Sequence, residues 1–268
     1  MVLFRCWLAV RPPNPVRRHL VSFGYLRPPI LTVMSAKPTH IFTLTFAIVT
    51  LLEIVGDTLS IRILHYGCKP LIMALLLLYG WQCYRSMGAP MSIRWLLVGM
   101  VFALAGDVFL MIQEVDLFAP GLGAFLVMQV CYSVVFWQST RQNELRSNRR
   151  SLLLNATLFA LYSGTFLVVL KPTFDSNPSL TALWWPVVFY VICLSTMGLL
   201  STQRRSLPYA GGVVMGALLF ILSDSLIAID KFLHPLSGAA FWIMSTYAAA
   251  QYLIVVGMLQ SGASVPEH

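Results

Sequence analysis

Residues 210–229 read AGGVVMGALLFILSDSLIAI, an apolar run broken by one ionisable side chain, Asp224. A helix of about 20 residues, rising about 1.5 Å at each, spans the roughly 30 Å hydrocarbon core of a bilayer. Arg204 and Arg205 lie before the run and Asp230 and Lys231 follow it, so charge sits where headgroups would be. A β-strand is a poor alternative, because the run is too long and does not alternate apolar with polar. Working outward, similar runs occupy roughly 41–60, 70–84, 94–113, 119–139, 151–170, 183–202 and 237–259. The second is short and is expected to extend to one side. The fold class that follows is all-α: a polytopic membrane protein, a bundle of eight transmembrane helices around a central polar cavity.

Composition supports this. The chain is 58% hydrophobic and 10% charged, with a mean hydropathy of +0.77. A soluble domain carries about 25% charged residues, and so little charge could not wet a soluble surface. Lipid removes that demand. The net charge of +8 does not point to nucleic acid as a partner, because no basic stripe is interleaved with exposed aromatics. The basic residues mark topology instead. Those of the N-terminal segment, the 85–94 link, the 141–150 link and Arg204-Arg205 fall on one side; Arg62, Lys69, Lys171 and Lys231 fall on the other. Both termini are then expected in the cytoplasm, and in a eukaryotic cell the endoplasmic reticulum or another endomembrane is the expected location.

Residues 1–36 read as a basic, Pro-rich, disordered tail, 37–260 as the transmembrane domain and 261–268 as a short C-terminal tail. Arg5 interrupts the first apolar stretch, which speaks against a cleaved signal peptide, and Pro12, Pro13 and Pro15 oppose a presequence helix. Met34 is an alternative start. The five cysteines contain no C-x-x-C pair and read as small apolar residues, not as a disulfide framework or zinc site. No internal repeat is visible, so nothing supports an inverted-repeat transporter.

Ionisable groups inside apolar runs carry the functional information. A charge at mid-bilayer costs about 2.5–3.5 kcal/mol on insertion scales and usually faces a partner or an internal cavity. Glu53 and Asp57 lie in the first run, Asp107 in the third and Asp224 in the seventh. Lys69 opens the second run and Lys231 closes the seventh. By the charge-derived topology, all lie in the outer half of the membrane. Gln129, Tyr132, Tyr247 and Gln251 come to middle depth from the fourth and eighth runs. One cavity there would collect them.

Two carboxyls in a poorly hydrated cavity suit acid–base work. Desolvation favours the neutral acid and a nearby carboxylate favours it further, so one can donate a proton while the other acts as base. The alternative is that Asp107 and Asp224 are structural, paired with Lys or capped by hydroxyls. Ser223 and Ser225 flank Asp224 and either tune it or pack a helix interface. Tyr247 and Gln251, spaced i, i+4, share a helix face and either line the cavity or link helices. Lys69 and Lys231 either attract a phosphate or snorkel to the headgroups. Trp184, Trp185 and Trp242 read as interfacial anchors. There is no G-x-S-x-G elbow, P-loop or H-E-x-x-H. None of His19, His40, His65, His234 and His268 lies deep in an expected helix, which argues against a histidine-based intramembrane metal site.

Four segments resemble the lysoplasmalogenase family, also called the YhhN-like family. They are Lys69-Pro70-Leu71, Gly106-Asp107, GALLFILSDSLIAIDKF from Gly216 to Phe232, and IMSTYAAAQYLI from Ile243 to Ile254. Order and spacing agree over roughly residues 41–259. The resemblance implies an eight-helix enzyme that hydrolyses the vinyl-ether bond of lysoplasmalogens, with a lysophospholipid substrate, membrane lipids around it and no metal or organic cofactor. The products are a fatty aldehyde and glycerophosphocholine or glycerophosphoethanolamine. Asp107 and Asp224 match polar positions of the family, and joining the acid pair to that chemistry makes them the expected catalytic residues. The family's other polar positions fall on Lys69, Ser223, Tyr247 and Gln251, with Tyr132 retained; Glu53 and Lys231 are further candidates for holding substrate. The chain departs from the family pattern at Gln129, where a His is common, at Ala248, where an aromatic is common, and at Asp230, where Asn is common. The rival reading is a non-catalytic lipid-binding or transport protein built on the same cavity.

Overall fold

The structure is a computed structural model that describes residues 37–88, 91–112, 114–142 and 148–263. The tail expected at 1–36 and the last five residues lie outside that range. Among the described residues, eight helices are long and apolar enough to cross a membrane. They are α1 (His40–Thr58), α2 (Arg62–Ser86), α3 (Met91–Met111), α4 (Phe118–Gln142), α5 (Arg149–Ser176), α7 (Trp184–Thr202), α8 (Ala210–Ala228) and α9 (Ala239–Ala263), with a four-residue α6 (Pro178–Thr181) between α5 and α7. No strand occurs among the described residues.

Local chemistry sets the helix ends. Thr39 caps α1 by accepting the Phe42 N–H at 3.1 Å, and Asn148 caps α5 by accepting the Arg150 N–H at 3.1 Å. The link between α1 and α2 is three residues, turned by Ser60 at φ 56°. The α2 helix begins at Arg62, eight residues before the expected window. Its first two turns carry Arg62, His65 and Lys69, so hydropathy is low there, and Pro70 sits inside the helix. The ring removes one backbone donor, a loss that membrane helices tolerate. At its C-terminal end α8 passes into a single π turn, Ile229–Leu233, which carries Asp230 and Lys231.

Seven of the long helices form a closed ring by neighbour contacts, in the order α1, α2, α3, α4, α7, α8, α9 and back to α1. The eighth, α5, leans on α7 from outside and touches the π turn. Only 6% of its apolar window is buried, against 33–50% for the others, which makes it the peripheral helix. Leu158, Leu161 and Val168 point outward from it, as lipid-facing side chains do.

Helices approach closely where one of them offers a glycine, as membrane helices do in the absence of a hydrophobic drive between them. At Gly216 in α8, a Cβ would stand 2.9 Å from the Ala250 carbonyl oxygen and 3.0 Å from the Ile254 nitrogen of α9, both backbone atoms. At Gly106 in α3 it would strike the Phe125 ring of α4 at 2.7 Å. At the opposite end of α7 from α6, Arg204 is fully buried. Its Nε donates to Ser139 Oγ at 2.8 Å, its guanidinium lies over the Phe136 ring, and burial pushes its pKa down to about 10.

Gly216→Ala is expected to cost about 1–3 kcal/mol, because the backbone of α9 cannot move aside as a flexible side chain can. Gly211, one turn earlier and open to its surroundings, should accept Ala without loss. Thermal unfolding in detergent micelles compares the two, and equal melting temperatures would remove the close α8–α9 contact as a source of stability.

Candidate active site within the helix ring

Both intramembrane acids face into the ring, and each is held by a tyrosine on another helix. Asp107, on α3, is 3% exposed, and its Oδ2 accepts the Tyr247 hydroxyl of α9 at 2.7 Å. Asp224, on α8, is partly buried. Its Oδ2 accepts the Tyr190 hydroxyl of α7 at 2.6 Å and, more weakly, Gln129 Nε2 of α4 at 3.4 Å. Phe125 and Phe220 each lie about 6 Å, centroid to centroid, from the Tyr247 ring and keep this region apolar.

Beside this pair, Tyr132 of α4 donates to Gln251 Oε1 of α9 at 2.8 Å, with both side chains wholly buried. Ser223 is also wholly buried, and its Oγ donates to the Ile243 carbonyl at 3.1 Å, so it ties α8 to α9. Ser225 bonds the Tyr162 hydroxyl of the peripheral α5 at 2.8 Å. The polar residues expected at middle depth are therefore brought together, largely as links between helices.

Two spaces reach this layer. A vestibule of about 560 Å³ is lined by Asp57, His65, Lys69, Asp116, Asp230 and Lys231 together with apolar side chains. Lys231 Nζ lies 5.3 Å from the centre of the Phe118 ring, a cation–π contact. Lys69 stands in the second turn of α2, and Asp107 lies one turn of α3 before Leu110, which lines the vestibule. The second space is a narrow apolar pocket walled by Phe118, Leu122, Phe166, Tyr190 and Phe232, and Asp224 lines it. Leu110, Phe118 and Ile227 line both spaces, so they adjoin.

The structure corrects one expectation outright. His65 does lie within a spanning helix, because α2 starts at Arg62, and it is buried at 5% exposure. Its Nδ1 is 3.1 Å from Glu53 Oε1 and 3.6 Å from Asp57 Oδ1. Glu53 thus belongs with His65 at the α1–α2 turn. Sequence reading missed Tyr190 and Tyr162 as partners of the Asp224 region. A hydroxyl at mid-run in the sixth and fifth apolar stretches was the available signal, but tyrosines are common in such runs and nothing set these apart.

Eight apolar helices with ionisable residues turned inward, Asp107 and Asp224 each bonded to a tyrosine of another helix, define an integral multi-pass membrane protein whose polar site lies inside its helix ring. The model of the YhhN family matches residues 64–258, and the chain belongs to that family. A lysoplasmalogenase TMEM86A of Bos taurus is 32% identical over 210 residues, 75% of this chain and 80% of the relative. A lysoplasmalogenase TMEM86B of Rattus norvegicus is 32% identical over 195 residues, 72% of each chain. A lysoplasmalogenase of Mycobacterium tuberculosis is 31% identical over 176 residues, 65% of this chain and 64% of the relative. No solved structure matches the chain.

The Tyr132–Gln251 bond is a direct test of how much these links hold. Tyr132→Phe leaves the Gln251 carbonyl oxygen without its donor in a site closed to water, at an expected cost of about 1–3 kcal/mol. Tyr252→Phe breaks only the exposed bond to Thr43 and should be close to neutral. Unfolding of both variants in detergent measures the difference.

Proposed function

We propose that the protein hydrolyses the vinyl-ether bond of lysoplasmalogens, releasing a fatty aldehyde and glycerophosphocholine or glycerophosphoethanolamine. The observation that carries this reading is the pair of adjoining spaces: cations line the vestibule, Asp224 lines the apolar pocket beside it, and Asp107 lies one turn of α3 before Leu110, which lines both. A lysophospholipid has parts to match: a charged phosphate, the ether carbons, and a long apolar chain. The lysoplasmalogenase names carried by several relatives support the same substrate class.

In this reading Lys69 and Lys231 hold the phosphate, and the apolar pocket takes the alkenyl chain. The vinyl ether then lies between the two acids. Hydrolysis starts by protonation of the β-carbon, the one farther from the headgroup, which leaves an oxocarbenium ion. Asp224, on the chain side, donates that proton from Oδ1, since Oδ2 is taken by Tyr190 and Gln129. Asp107, on the headgroup side, faces the α-carbon. It stabilises the cation and takes a proton from the water that adds there. The hemiacetal collapses when Asp107 returns its proton to the ether oxygen and the new hydroxyl gives its own back to Asp224. One water is consumed and both acids regain their starting states. Tyr247, Tyr190 and Gln129 keep the carboxyls oriented, and Tyr132, Gln251 and Ser223 hold the helices that carry them. Glu53 lies behind the vestibule and is not given a role in the reaction.

General acid or base catalysis by one side chain contributes about 10²–10⁴-fold, so Asp107→Asn and Asp224→Asn should each lower aldehyde release by at least about a hundredfold. The reaction run in D₂O should place one deuterium on the carbon next to the aldehyde, which mass spectrometry reads directly. The saturated-ether analogue should not turn over. Wild-type rates in both folded Asn variants would refute the acid pair. Binding of lysoplasmalogen with no aldehyde formed by the wild type would instead favour a lipid-binding or transport protein.

A further inference from the structure

The turn between α1 and α2 holds a cluster that the proposed hydrolysis does not use. Glu53 and Asp57, spaced i, i+4, share one face of α1. His65 comes from the first turn of α2. Gly56 brings them together: a Cβ there would stand 2.7 Å from Leu64 Cβ and 2.8 Å from the His65 nitrogen, so only glycine lets α2 fold back this closely. One ligand atom from each of the three side chains lies within 4.8 Å of the others.

Glu53 is wholly buried, and neither of its oxygens receives a hydrogen bond from any described residue. His65 Nδ1 is likewise buried without a hydrogen bond, although it lies 3.1 Å from Glu53 Oε1. Lys69, one turn further along the same face of α2, does not reach the Glu53 carboxylate. A carboxylate removed from water and left without donors is costly. Ligand atoms that lie within reach of one ion, with Glu53 and His65 at ion-pair distance but not hydrogen-bonded, suit a shared cation. Two ligands at the zinc–nitrogen and zinc–oxygen distances of about 2.0–2.2 Å in a tetrahedron stand about 3.4 Å apart. The 3.1 and 3.6 Å separations bracket that value.

We propose that Glu53, Asp57 and His65 form a binding site for a divalent transition-metal ion of the zinc type, with the fourth position open to the vestibule. The donor set selects the class: an imidazole nitrogen suits zinc and its neighbours, whereas calcium and magnesium take six or more oxygens. Two carboxylates neutralise the ion, so the buried cluster carries no net charge when the imidazole is neutral. Asp57 and His65 line the vestibule, which gives the ion a way in and a place for a water or an anion oxygen as fourth ligand. The site links α1 to α2, and it stands whether or not the acid pair hydrolyses lipid. Glu53 and Asp57 precede the segment that matches the family model.

The test uses the full chain purified in detergent, stripped with EDTA and dialysed against zinc chloride, with bound zinc measured by mass spectrometry. The expected result is about one zinc per chain. Glu53→Gln, Asp57→Asn and His65→Ala should each weaken binding by more than the about 10–100-fold that follows loss of a mere outer-shell partner. Asp116→Asn, in the same vestibule but outside the cluster, should bind as the wild type does. If the variants do not fold, zinc-edge absorption of the loaded wild type decides, with nitrogen and oxygen neighbours supporting the site. Less than about a tenth of a zinc per wild-type chain, binding retained in the folded cluster variants, or sulfur neighbours that place the ion on Cys68 would each overturn the proposal.

Discussion

The structure turns on one constraint: a carboxyl inside the hydrocarbon layer must be given a partner by the protein, because lipid offers none. Asp107 and Asp224 meet it in the same way, by accepting a tyrosine hydroxyl from a helix on which neither acid lies. Those two bonds join α3 to α9 across the ring and α8 to its neighbour α7. The Tyr132–Gln251 bond adds α4 to α9. Polar groups that are expensive alone thereby become the connectors of the bundle.

Close packing of neighbouring helices frames those bonds. Gly216 sets α8 against the α9 backbone, and Gly106 sets α3 against the Phe125 ring of α4. Gly56 does the same at the α1–α2 turn, where it presses His65 toward Glu53 and Asp57. Packing and chemistry are thus set by the same positions.

Much of this was legible in the sequence. The eight apolar runs announce themselves by length, since 20 residues without charge have few other uses. Asp107 and Asp224 stand out because an ionisable group in such a run is rare. What stayed hidden was whatever the apolar signal masks or dilutes. Tyr190 is one tyrosine among several in apolar runs, and only its distance to Asp224 distinguishes it. The first two turns of α2 fall outside the apolar window, whose extension to one side the sequence leaves without bounds, because Arg62, His65 and Lys69 lower the local hydropathy. Losing those turns from the helix moved His65 out of it, and the cluster with Glu53 and Asp57 disappeared with it. Partnership across helices depends on rotation about each axis, which a run hydrophobic on all sides does not record.

The closed ring has a consequence for synthesis. Helices leave the ribosome in chain order, and α9 is the last of them. It is the helix that lies against α1 and that carries both Tyr247 and Gln251. Until it inserts, Asp107 lacks its donor, Tyr132 lacks its acceptor, and the first helix lacks a neighbour. A nascent chain halted before α9 therefore presents a raw polar seam to the bilayer, and insertion of α9, maturation of the site and burial of that seam are one event.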